Sequence, residues 1–156
     1  MADIKSKYGA ATAITITAGT LASSNTAGQS STAIDNTTDL FIDALVEVAP
    51  TLSATAPAND KNVYVYAYGS VDGTNYTDAI SGTDAAYTFR VPTHLRLIGV
   101  IPTAAASAAY RSMPMSVAAA FGGVLPPKWG IVIKNYTGSA FTAFSAQYRG
   151  VLAQSV

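Results

Sequence analysis

Side chains able to do acid–base or nucleophilic chemistry are few in this sequence. His94 is the only imidazole among 156 residues, and no cysteine exists to pair with it. It follows Pro92 and Thr93, where a loop runs into a strand. Serines are plentiful, but the chain has no Gly-x-Ser-x-Gly elbow to raise one of them as a nucleophile. His94 therefore reads as structural or simply exposed. Glu47 is the sole glutamate. Asp43 and Glu47 share a strand face, but at about 3.3 Å per residue they stand about 13 Å apart, too far for a paired acid and base. The expectation is a protein that is not an enzyme.

The densest set of oxygen donors is the excursion 70–78, with Asp72, Asn75 and Asp78. A calcium loop of the helix-loop-helix kind needs a longer donor series and a closing glutamate, both missing here. The competing reading is a tight turn at Asp72-Gly73 with Asn75 capping the return, and the spacing favours it. No metal and no cofactor are expected. A second signal is tyrosine, nine against five phenylalanines. Tyr64, Tyr66 and Tyr68 alternate along one strand face. Such a stripe can stack on sugars, bury itself in a subunit interface, or pack beneath a neighbouring loop.

The elements that must position these residues are strands. The stretch 116–136 holds the only tryptophan, the only Gly-Gly and the only Pro-Pro. Trp129, Ile131 and Ile133 alternate with Gly130, Val132 and Lys134, a strand with a strongly apolar face whose wet end is marked by Lys134, Asn135 and Tyr136. Gly122 and Gly123 permit positive φ, while Pro126 and Pro127 forbid a helix. The stretch reads as strand, stiff arch, strand. Period-two patterns also predict strands over 12–17, 38–48, 61–68, 86–91, 95–101, 109–121 (bent at Pro114) and 143–153. Residues 50–60 read as a loop with Pro50 and Pro57 as breakers, and 18–36 as a long loop with a short edge segment. About eight strands without a convincing helix predict an all-β, single-domain antiparallel β-sandwich, jelly-roll-like, over 12–156. Residues 1–11 read as an N-terminal arm, ordered only if something holds it.

Composition restricts the partners. Hydrophobic residues make up 49% and charged residues 12%, and nine basic side chains balance nine acidic ones. A charge fraction about half the usual one, at zero net charge, favours self-association. Nucleic acid is disfavoured, because its binding needs a basic surface. No apolar run reaches the roughly 18 residues of a membrane helix, so no membrane partner is expected. The N-terminus lacks the apolar core of a signal peptide, and the absence of cysteine fits a reducing cytoplasm.

Several blocks together carry a resemblance. They are Thr-Ala-Ile-Thr-Ile-Thr (12–17), the run 31–46 ending Asp-Leu-Phe-Ile-Asp-Ala-Leu-Val, and Val-Tyr-Val-Tyr-Ala-Tyr-Gly (63–69) with Asp72-Gly73. Leu-Arg-Leu-Ile-Gly-Val-Ile (95–101) and Phe-Gly-Gly-Val-Leu-Pro-Pro-Lys-Trp-Gly (121–130) complete them. In these blocks, which are spread over residues 12–130, the sequence resembles small structural proteins of tailed-bacteriophage virions. None of the blocks is a catalytic signature. The resemblance implies a jelly-roll-like capsid decoration (cement) protein on the outer capsid surface, made in the host bacterial cytoplasm. Its partners would be the major capsid protein and itself, as a homotrimer. A carbohydrate-binding or tail- or neck-associated module is the alternative. On the decoration reading, the arm with Lys5 and Lys7 reaches a neighbour, and Tyr64, Tyr66 and Tyr68 fill interfaces. The arch with Phe121 and Leu125 either meets another subunit or only turns a corner.

Overall fold

The computed structural model describes residues 3–155. The predicted all-β sandwich is what the chain forms: two antiparallel sheets, with eleven strands where the sequence suggests about eight. The strands are β1 Ile4–Tyr8, β2 Thr12–Ala13, β3 Ala27–Ser30, β4 Ile34–Asp35, β5 Asp43–Leu52, β6 Asn62–Ser70, β7 Ala85–Thr88, β8 Arg96–Pro102, β9 Met115–Ser116, β10 Lys128–Tyr136 and β11 Phe141–Ser155. The five-stranded sheet runs β1-β11-β5-β9, with β2 also on β11; the six-stranded sheet runs β7-β3-β10-β6-β8, with β4 also on β10. The chain changes sheet at β2–β3, β4–β5, β5–β6, β8–β9, β9–β10 and β10–β11. The chain thus crosses repeatedly between the two sheets of the sandwich.

One core lies between the sheets. Trp129, Ile131 and Ile133 of β10 and Val63, Val65 and Ala67 of β6 meet Ala44, Val46 and Val48 of β5 and Ala146 and Tyr148 of β11. All of these fall on the predicted apolar faces, because alternation along a strand assigns every second side chain to the interior. A second, smaller core lies outside the six-stranded sheet, where the excursion 71–95 folds over it. There Tyr68, Ile80, Leu95 and Val132 are buried together. Strand β10 is thus buried on both faces, which its run Gly-Ile-Val-Ile allows.

Several boundaries differ from the sequence reading, each for a local reason. The long strand predicted over 38–48 begins only at Asp43, since Leu40 takes φ +53° in a turn closed by its amide on the Asn36 carbonyl. It then runs through Pro50 to Leu52. Pro50 is no breaker because it faces the irregular segment 108–112, which donates the Tyr110 amide to its carbonyl and asks for no amide in return. The strand over 12–17 shrinks to β2. The strand over 109–121 shrinks to β9, and 118–121 forms a 3-10 turn ended by Gly122 at φ +79°. Asn135 is not at a wet end. It is buried, donating to the Leu21 and Ser139 carbonyls and accepting from Thr137.

The N-terminal arm is ordered over part of its length. Its residues 4–8 are strand β1, paired in register from Ile4 opposite Ser155 to Tyr8 opposite Val151. Met1 and Ala2 lie outside the described residues. Something does hold the arm: the far end of its own chain, a partner that no local pattern could indicate.

Candidate interaction surfaces

The candidate chemical groups are each engaged in structure. Asp78 sits at φ +56°, with a side chain almost wholly buried. It accepts the Thr93 hydroxyl at 2.7 Å, the His94 amide at 2.9 Å and lies 2.8 Å from the His94 Nδ1. Burial pushes its carboxyl up, but the hydrogen bonds from Thr93 and His94 and the nearby imidazole outweigh it and bring the pKa down to about 2. The carboxylate thereby pins the loop before β8 to the turn before Ile80, and the His94 ring points outward from that junction. Asp72 is the hub of a turn, as its spacing suggests. It accepts from Asn75 Nδ2 and from the Asn75, Thr74 and Ser70 groups, which hold its carboxyl far below the usual range. Gly73 supplies the positive φ of +74°.

Asp43 and Glu47 do not work as a pair. Asp43 accepts from the Ser116 hydroxyl at 2.7 Å and the Ala118 amide at 2.8 Å, anchoring the 3-10 turn to β5. Glu47 pairs with Arg111 and takes a hydrogen bond from Gln147 Nε2. Among the described residues no group of three or more His, Asp or Glu side chains converges as metal ligands.

The tyrosine stripe divides. Tyr68 is buried, and its hydroxyl donates to the Ser31 carbonyl at 2.6 Å. Burial raises its pKa well above the ordinary phenol value. It lies directly opposite Gly130, where any Cβ would strike its ring. Tyr68 therefore belongs to the interior and offers no interface, because the excursion 71–95 covers its end of the sheet. Tyr66 sits at the edge of that cover, packed against the second core, with Tyr64 next along the strand, and both stay half-buried. Register sets Lys134 directly opposite Tyr64. The Lys134 ammonium stands 5.7 Å from the Tyr64 ring, 5.4 Å from Phe89 and 5.5 Å from Tyr136. Tyr66 packs on Phe89 at 5.2 Å. The result is a cation framed by aromatic rings on the open half of the six-stranded sheet. The sequence reading found Tyr64 and Tyr66 and missed Phe89 and Lys134, whose proximity depends on strand register and a long return loop.

The arch residues divide as well. Phe121 is half-buried and closes over Gly69, where a Cβ would come within 2.9 Å of its ring. Leu125 is buried in the main core, so it serves the fold and is not an exposed contact. Between them Val124 is 65% exposed, beside Ile42, whose carbonyl accepts the Leu125 amide. A cavity of about 370 Å³ opens beside Phe121 and Pro126, lined further by Gly69, Val71, Asp72 and Asn75. With Asp72 spent on its own turn, this cavity offers a mainly apolar wall.

Lys5 and Lys7 lie on β1, and every side chain of that strand is exposed. Pairing of β11 with β5 ends at Val151 opposite Asp43, whereas pairing with β1 continues to Ser155. Beyond Val151 the two chain ends therefore form a two-stranded ribbon without a third strand. Ile4 and Tyr8, 78% and 57% exposed, share one of its faces, and Lys5 and Lys7 the other.

Comparison of the chain with protein-family models, with curated proteins and with solved structures finds no match.

Proposed function

We propose that this chain is a structural subunit of a tailed-bacteriophage virion, a decoration (cement) protein that self-associates as a trimer and binds the outer capsid surface through the major capsid protein. Its action is mechanical. Many modest contacts per subunit, multiplied over the shell, hold neighbouring capsid subunits together. The observation that carries the reading is the bare β1–β11 ribbon on a chain with 12% charged residues and no net charge. An isolated two-stranded ribbon is marginal in water, so one with both faces exposed suits an element that is completed by a neighbour. The resemblance in the five sequence blocks supplies the viral setting. The test is co-sedimentation with purified expanded capsids. The full chain binds, and a chain lacking residues 1–11 binds measurably less; equal binding by the two refutes the role given to the arm.

A second reading rests on Lys134. Aromatic rings around a cation suit a sugar acid, the rings stacking on the pyranose face and the ammonium meeting the carboxylate. Binding to an array of acidic glycans that Tyr66→Ala abolishes would favour a carbohydrate-binding virion module. Silence on such an array removes this reading.

A further inference from the structure

We infer that the β1–β11 ribbon docks on a second copy of this chain, across the end of the sandwich formed by the turn 35–42 and the arch 122–125. The inference rests on the reading of the chain as a self-associating shell subunit and names the surfaces that would join. Strands β1 and β11 leave the sheet at Val151, and their pairing carries Lys5 and Lys7 past the start of β5. Neither lysine forms an ion pair among the described residues. The matching charge is on this same chain. Asp39 is exposed and likewise without an ion pair among the described residues, and Asp35, which accepts the Thr37 amide and hydroxyl, has Lys128 at 3.8 Å as its ion-pair partner. Beside these acids the end is apolar and uncovered: Leu40 is 69% exposed and Val124 65%.

Both halves of a contact are thus present on one molecule. A basic, partly apolar ribbon faces outward, and an acidic, partly apolar end lies beside the root of the ribbon. Opposite charges that form no ion pair among the described residues of one copy meet between copies. Because ribbon and acceptor are different surfaces, the contact is head to tail, and it closes into a ring when the rotation between copies allows. A capsid protein is the rival occupant of the ribbon. The acceptor on this chain, with its unpaired Asp39, is what favours a second copy.

Sedimentation velocity of the purified protein across a concentration series, in low and high salt and without capsids, tests this. The wild type assembles beyond the monomer, more tightly in low salt. Lys5→Glu with Lys7→Glu, or Asp39→Lys alone, weakens assembly about tenfold or more. Combining all three changes restores it in part, since the ribbon and position 39 then carry exchanged charges while Asp35 keeps its own. All three positions are exposed, so circular dichroism of each variant should match the wild type. A monomeric wild type, an unaffected lysine variant, or a triple variant that fails to recover overturns the inference. The capsid-binding reading fails separately, because no capsid is present in this experiment.

Discussion

Trp129 stands edge-on to Tyr148, their ring centroids 5.3 Å apart at an interplanar angle of 87°. One residue belongs to β10 of the six-stranded sheet and the other to β11 of the five-stranded sheet, so this contact closes the sandwich. Trp129 is fully buried. Truncating it removes a large apolar area and leaves a cavity that rigid sheets on both sides cannot fill. Trp129→Ala is expected to cost about 3–5 kcal/mol in chemical denaturation. Trp129→Phe should cost clearly less, since it keeps an aromatic ring against Tyr148.

Gly130 and Tyr68 form a cross-strand pair in which the glycine makes room for the ring. Gly130→Ala should destabilise the fold by about 1–3 kcal/mol through overpacking. Tyr68→Phe should cost about 1–3 kcal/mol, because it leaves the buried Ser31 carbonyl without its donor. The two are neighbours, so their effects should not add. A double variant measured by denaturation, with a cost smaller than the sum, checks the coupling.

Asp78 gives the pH dependence a definite sign. Its folded pKa of about 2 lies below the ordinary 3.8. Its contribution is therefore complete above about pH 4 and is lost as the pH falls toward 2. Acid titration followed by the Trp129 fluorescence or by circular dichroism should show a loss of stability in that window. Asp78→Asn should lower stability at neutral pH and flatten the acid-side slope. An unchanged slope would mean that Asp78 does not carry the effect.

Deleting residues 1–11 should leave the sandwich folded, since the main core contains no residue before Ile14. The end of β11 loses its only ladder beyond Val151. Hydrogen exchange should therefore become fast at residues 152–155 and stay slow in β5 and β10.

Much of this fold was legible because strand periodicity is local. Val63, Val65, Trp129, Ile131 and Ile133 declare their faces within a few residues. The less legible features depend on parts of the chain far apart in sequence. Tyr68 looked like its neighbours Tyr64 and Tyr66, yet the excursion 71–95 buries it and leaves them half-open. Pro50 looked like a breaker because nothing local shows that its missing amide would face an irregular segment. Residues 4–8 read as an arm in need of a partner, and that partner, the last strand, lies at the far end of the sequence. The candidate surfaces follow the same division: Lys5, Lys7, Tyr64 and Tyr66 carry local signals, whereas the Lys134 and Phe89 contact exists only through register. Asp39 and Val124 acquire interest only once the ribbon's root is located beside them.

The central claim is that the chain covers the outside of a capsid, and imaging intact particles with the protein labelled or resolved tests it most directly. The account predicts density on the outer surface at sites repeated with the full symmetry of the capsid lattice. Density confined to a single ring at the neck or tail, or absent from the shell exterior, would contradict it.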